Sequence, residues 1–196
     1  MDDFVMEIDN QKLQQIYSTA KFMFMRYGFK RVSIEEICRE AGISKMTFYK
    51  FFSNKFDLLK FILEQITADS FAEYREILAQ DIPYAEKVKL MIQMKMKYTD
   101  ELSQEFFNDL YKNAEPELVE FWQQKTQAMM ELVLEDLKAA QAQGDVRSEI
   151  KPEFILYFLN HIFEMVKDDR LLRLYDSPQA LVNELTRFFF YGILPR

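Results

Sequence analysis

The sequence predicts an all-α protein, and three observations predict it. Glycine and proline are scarce, at 4 and 5 of 196 residues, so turn formers are few. Leu, Met, Phe, Glu, Lys and Gln are plentiful, a composition that reads as helical. Apolar residues recur three and four positions apart nearly everywhere, which places them on one stripe of a helix. The expected architecture is a three-helix head containing a helix-turn-helix, followed by a six-helix body.

Each element has its own signal. Leu13, Ile16, Tyr17, Ala20 and Phe24 form the stripe of the first helix. Asp9 or Asn10 is its expected cap, and Gly28 its left-handed terminator. The second helix opens at Ser33, because Ser33-Ile34-Glu35-Glu36 is a capping box. Ile34, Ile37, Cys38 and Ala41 give it one apolar face, and Gly42 stops it after about two turns. Ser44 caps a third helix, Lys45 to Phe52, and Asn54 with Asp57 announces a fourth. Pro83, Pro116, Pro152 and Pro178 each stand where a later helix starts, since the first turn does not need their missing N–H. Helices are predicted over 55–79, 84–99, 103–112, 116–142, 152–173 and 178–192, with Gly144 closing the long one.

Counts exclude several chemistries. With one cysteine, Cys38, there is no intrachain disulfide and no cysteine-based zinc site. With one histidine, His161, no HExxH motif exists, and no nucleophile elbow lies near it. Neither GxGxxG nor GxxxxGK[ST] occurs, so no cofactor is expected and an enzyme is the weakest reading. The stretch MDDFVMEIDN is polar and acidic, unlike a signal peptide. The longest apolar run, Phe188 to Leu194, is far short of the roughly 20 residues that span a bilayer. A soluble, cytoplasmic chain with no membrane partner is expected. Cys38 reads as a small core residue and His161 as a structural histidine.

A short helix, a glycine turn and a second short helix make the helix-turn-helix layout, here SIEEICREAGISKMTFYKFF over 33–52. Ile37, Ala41, Ile43 and Phe48 face inward in that register. Lys45, Met46, Thr47, Tyr49 and Lys50 face outward, a set that suits a DNA groove: cations and hydroxyls for phosphate or guanine, Met for a thymine methyl. The net charge of -7 argues against nucleic acid when taken whole. The distribution of that charge argues the other way. Residues 21–55 hold eight basic residues against three acids, +5, while 1–20 carry −3 and 56–196 carry −9. A local cationic segment is the footprint of a groove-binding unit.

From Ile16 to Leu63 the sequence resembles the DNA-binding domain of TetR-type bacterial transcriptional regulators. The matching residues are Tyr27-Gly28, Val32-Ser33-Ile34, Ile37, Ala41-Gly42-Ile43-Ser44, Thr47-Phe48-Tyr49, Phe52, Ser53-Asn54-Lys55 and Leu58-Leu59. The resemblance implies base and phosphate contacts by Lys45, Met46 and Thr47, a phosphate-binding tyrosine at Tyr49, and a backbone-binding lysine at Lys55. Lys50 joins them on the outward face, and Ser33 presents a helix N-terminus to phosphate. Lys30 and Arg31 stand near the minor-groove edge. Phe51 departs from the polar, His or Tyr residue frequent in the family. The implied domains are 9–65 for DNA binding and 66–196 for effector binding and dimerisation.

In the body, the resemblance implies a small-molecule pocket, with Phe106, Tyr111, Phe121, Trp122 and Met129 as its candidate wall for an apolar or aromatic effector. Core packing explains such residues as well. Glu105, Asp109, Glu164 and Asp168 would favour a cationic effector, or simply face solvent. The last two helices are apolar over wide arcs, which indicates burial on two sides. The expected cause is a homodimer through Phe158, Ile162, Leu185, Phe188 and Phe189, with two heads on an operator in double-stranded DNA. The expected function is a ligand-responsive transcriptional regulator, a repressor released by its effector. The alternative is a helical dimeric interaction or ligand-carrier module that binds no specific DNA.

Overall fold

The computed structural model describes residues 2–112, 114–166 and 168–195. Among them, helix is the only regular secondary structure. The elements are α1 (Asp2–Tyr27), α2 (Ile34–Glu40), α3 (Lys45–Phe51), α4 (Lys55–Ala79) and α5 (Tyr84–Asp100). Then come α6 (Gln104–Phe107), a π turn (Asn108–Lys112), α7 (Pro116–Gln143), α8 (Pro152–Met165), α9 (Asp169–Leu172) and α10 (Pro178–Ile193). None of these helices is long and apolar enough to cross a membrane.

Contacts divide the chain into two units. One is Met1–Asp69 with Glu101–Asn113; the other is Ser70–Asp100 with Ala114–Arg196. A linear division at 65/66 does not express this grouping, because the segment holding α6 and the π turn belongs with the head.

Three boundaries differ from those the sequence predicts. The first helix starts at Asp2, ahead of the Asp9 or Asn10 expected to open it. The helix predicted over 103–112 is α-helical only to Phe107 and then widens into the π turn. The helix predicted over 152–173 is two helices, α8 and α9. The cause of that break is Asp168, whose carboxylate accepts from the N–H groups of Arg170 at 2.7 Å and Leu171 at 3.4 Å. An Asp that captures backbone donors competes with helix continuation and starts a new first turn. The body therefore holds more helices than the six expected.

The head is closed by Ile16, Ala20, Phe24, Phe29, Val32, Ile37, Phe48, Phe52, Leu58, Leu59 and Ile62, all buried. Aromatic contacts link them, with ring centroids at 5.3 Å for Phe24–Phe29, 5.8 Å for Phe48–Phe52 and 5.5 Å for Phe52–Phe61. Cys38 is a buried free thiol in this core, and burial raises its pKa.

In the second unit, Leu137, Ala140, Val146, Ile155, Phe189 and Ile193 form one buried cluster. Ile77, Met91 and Met94 form another. Tyr74 and Asp136 share a hydrogen bond inside this unit, and burial raises the pKa of both. Burial pushes the Tyr84 hydroxyl up to about 12. Pro116, Pro152 and Pro178 occupy first-turn positions. Ser177 caps α10 by accepting from the Ala180 N–H at 3.2 Å.

Candidate nucleic-acid interface

The recognition surface is built by the turn beneath it. The Ser33 hydroxyl oxygen accepts from the Glu36 N–H at 3.2 Å, and the Glu36 carboxylate accepts from the Ser33 N–H at 2.8 Å. The box expected from the sequence is thus closed. At the far end of α2, the Ile43 N–H donates to the Cys38 carbonyl at 3.0 Å and the Gly42 N–H to that of Arg39 at 3.3 Å. These are the two bonds of a Schellman cap, and Gly42 supplies the left-handed residue, φ 67°. Ser44 caps α3 in turn, accepting from the Thr47 N–H at 3.0 Å. Phe48, fully buried, pins α3 to the core.

With Phe48 inward, helical geometry sends Lys45, Met46, Tyr49 and Lys50 outward. Met46 is 74% exposed and Tyr49 54%. Such exposure of two large apolar side chains on a seven-residue helix lacks a folding reason. A groove floor with thymine methyls gives one. Tyr49 is braced edge-on by Phe48, their ring centroids 5.4 Å apart. Thr47 is half-buried, and its hydroxyl lies 2.9 Å from that of Ser44.

Of the seven expected contacts, Ser33 and Lys55 are engaged by the protein itself. Ser33 donates its hydroxyl as well as its N–H to Glu36, the former at 2.8 Å, so the side chain is committed to the cap. Lys55 turns inward. Its ammonium donates to the carbonyls of Phe29 at 2.6 Å and Val32 at 2.7 Å, with Lys30 at 3.4 Å, and lies 4.4 Å from the Phe29 ring centre. Burial lowers its pKa. Beside the phosphate contact expected of it, Lys55 clamps the loop between α1 and α2. An ammonium carries three donors and can serve all three of these loop carbonyls at once.

Lys45 also has a partner that the sequence did not reveal. Its ammonium pairs with the Glu35 carboxylate of α2 across the exposed face of the motif. The pair holds Glu35 below, and Lys45 above, the usual range of each. Both signs say that it stays charged and closed around neutral pH. Any anion approaching Lys45 competes with this carboxylate. The signal lay in the register: Glu35 faces the first turn of the next helix.

Around the motif, Arg26, Lys30, Arg31, Arg39 and Lys50 are exposed. Arg26 and Arg31 flank the Tyr27 ring at 5.9 and 5.1 Å. The loop bearing Lys30 and Arg31 is tied to the segment after α5 within the same unit. Asp109 accepts from the Lys30 N–H at 2.9 Å, and the Ser103 N–H donates to the Met25 carbonyl at 2.8 Å. Gly28 sits where an added Cβ would lie 3.0 Å from both Asp109 Oδ2 and Glu105 Cβ.

The other expected sites are only partly assembled. Phe106 is buried in the core of the first unit, so it packs and offers no surface to an effector. Tyr111 stands in the π turn, with its side chain outside the described residues. Phe121, Trp122 and Met129 are half-buried on α7 in the second unit. The acids proposed for a cationic effector have other duties: Asp109 holds Lys30 and Asp168 caps α9. The side chain of Glu164 lies outside the described residues. His161 is exposed, stacked on Tyr157 at 4.0 Å, with Nδ1 2.8 Å from the Tyr157 carbonyl.

Of the five expected dimer residues, Leu185 and Phe189 are buried in their own chain. Phe189 stacks on half-buried Phe158 at 6.0 Å, and half-buried Ile162 joins the same cluster. Only Phe188 is largely open, at 70%. Phe154, Tyr157 and Tyr191 are exposed on the same two helices. They were legible as residues i and i+3 on the far side of each apolar stripe.

Comparison with known proteins agrees with this geometry. Residues 16–62 match the family model for bacterial regulatory proteins of the tetR family. The HTH-type transcriptional regulator YdgC of Bacillus subtilis is 23% identical over 193 residues, covering 93% of each chain. The fold is shared with FadR, a fatty acid degradation regulator of Bacillus halodurans, at TM-score 0.71 and 19% identity, over 94% of this chain and 97% of that one. It is also shared with a transcriptional regulator from Saccharomonospora viridis in complex with choline, at TM-score 0.70 and 16% identity, over 94% and 98%.

Proposed function

We propose that the chain, whose residues 16–62 match the model of the tetR family of bacterial regulatory proteins, is a member of that family and a homodimeric repressor released from its operator by a small molecule. One observation carries the DNA reading: Met46 and Tyr49 are held outward beside Lys45 and Lys50 by a core that leaves α3 no freedom to turn them in. A helix of this kind enters the major groove by its first turns. Lys45 and Lys50 supply charge, Tyr49 and Thr47 hydroxyls, and Met46 an apolar tip. A carrier module without DNA binding has no use for that surface and is not favoured.

Dimerisation is proposed through the open face of α8 and α10, with Phe154, Tyr157, Phe188 and Tyr191 at its centre. Release is proposed to run through the segment after α5. Asp109 holds the Lys30 N–H and Ser103 the end of α1 at Met25, so a shift of that segment disturbs the head. About 1–3 kcal/mol of coupling is enough to change operator affinity usefully. An effector among Phe121, Trp122 and Met129 would be largely apolar.

The test is binding to DNA from the protein's own upstream region across a salt series. Preference over random DNA with a steep salt slope is expected. Lys45→Ala and Tyr49→Phe should weaken binding while leaving the melting temperature in place. No preference at low salt would refute the reading.

A further inference from the structure

An acid sits on the cationic reading face. Of the three acids in 21–55, Glu36 is bound into the Ser33 cap, and Glu40 lies 3.7 Å from Arg39 at the end of α2. Glu35 instead pairs with the ammonium of Lys45, the first residue of α3. Both side chains are more than half exposed. The pair is therefore part of the surface that bears Met46, Tyr49 and Lys50, all exposed.

Folding does not account for Glu35. An exposed ion pair adds little stability. The N-terminus of α2 favours an acid in its first turn, and Glu36 already supplies one. Against a polyanion, a carboxylate weakens every phosphate contact near it. A base edge differs from a phosphate, because it offers donors as well as acceptors.

The pair presents an acceptor and a donor side by side, and the major-groove edge of a C·G pair presents their complement. The cytosine amine donates, and the adjoining guanine O6 and N7 accept. An ammonium with three donors can serve O6 and N7 while the carboxylate takes the amine, and the ion pair need not open. The other pairs fit worse. G·C and T·A set oxygen against the carboxylate and an amine against the ammonium. A·T has amine and oxygen in the right places, but it puts adenine N7 beside the carboxylate and the thymine methyl beside the ammonium.

We infer that Glu35 is a specificity-determining residue of the DNA interface: its carboxylate accepts from the amine of a cytosine, with Lys45 on the guanine paired to it. The inference rests on the DNA binding proposed under the function and names one base pair read in each half-site.

The test selects sites from a randomised duplex library with the full-length protein. The preferred site is then varied one base pair at a time and titrated with wild type, Glu35→Ala and Lys45→Ala at one salt concentration. Wild type should hold one C·G pair per half-site about tenfold or more tighter than each alternative. In Glu35→Ala that preference should fall to about twofold or less, with the profile at the other positions and the melting temperature unchanged. Lys45→Ala should relax the same base pair, because the two groups share its edge. A preferred site without such a pair, an unchanged profile in Glu35→Ala, a loss spread over every position, or a different pair relaxed by Lys45→Ala would overturn the inference and leave the DNA reading intact. A library that yields no preferred site would overturn both.

Discussion

Replacing Lys55 by methionine separates two uses of one cation. Methionine keeps an apolar stem over the Phe29 ring and removes the donor that reaches Phe29 and Val32 at 2.6 and 2.7 Å. A hydrogen bond from a charged group contributes about 1.5–3 kcal/mol, so the two short bonds amount to about 3–6 kcal/mol gross. Desolvation of the ammonium, visible in its lowered pKa, offsets part of this. A net loss of about 2 kcal/mol is expected, or about 4–8 °C in melting temperature for a chain of this length. The pH dependence has a definite sign. Because the folded pKa is depressed, the unfolded chain holds the proton more tightly, and wild-type stability rises with pH just below the usual lysine range. The gap between wild type and variant should widen there. Thermal unfolding of both proteins and a salt series on operator DNA form the assay. An unchanged melting temperature with a salt slope lower by about 0.9 per head would refute the clamp and leave Lys55 as a phosphate contact.

Other changes test the same structure. Glu35→Gln removes the carboxylate that holds Lys45, so DNA affinity at low salt should rise a few-fold; a fall would show that the pair orients Lys45 productively. Gly28→Ala should destabilise by about 2 kcal/mol or more, because φ is +86° and the new methyl meets Glu105 and Asp109. Gly144→Ala, at φ +83° in open space, should cost only about 1 kcal/mol. Urea melts that rank the two in the opposite order would contradict the packing at Gly28. Phe188→Asp should yield a folded monomer by light scattering, whereas Leu185→Asp, in the core, should unfold the chain. A dimeric Phe188→Asp protein would exclude this face as the interface.

The head was legible because its signals are local. The Ser33 box, the Gly42 turn and the Ser44 cap are each decided within four residues, and the structure closes every one. The break after α8 was not legible, although Asp168 carries the same chemistry as those caps. Asp168 stands in the charged run KDDR over 167–170, where an acid reads as one more exposed position until its carboxylate is seen to hold two N–H groups. Phe106 and Phe189 mislead for another reason. Periodicity tells which side of a helix is apolar, and it does not tell whether that side meets the same chain, a second chain or a ligand.

By itself, the sequence determined the helix-turn-helix of the head, the segregation of +5 into its reading unit and the outward set on α3. These follow from spacing and short-range hydrogen bonding, which need no partner far along the chain. Only the tertiary structure decided what each charge is for. Lys55 and Lys45 look alike in the sequence, but one ammonium is enclosed by three loop carbonyls and the other lies against Glu35. A cation's role is set by the groups within a few ångströms of it, and folding chooses those groups.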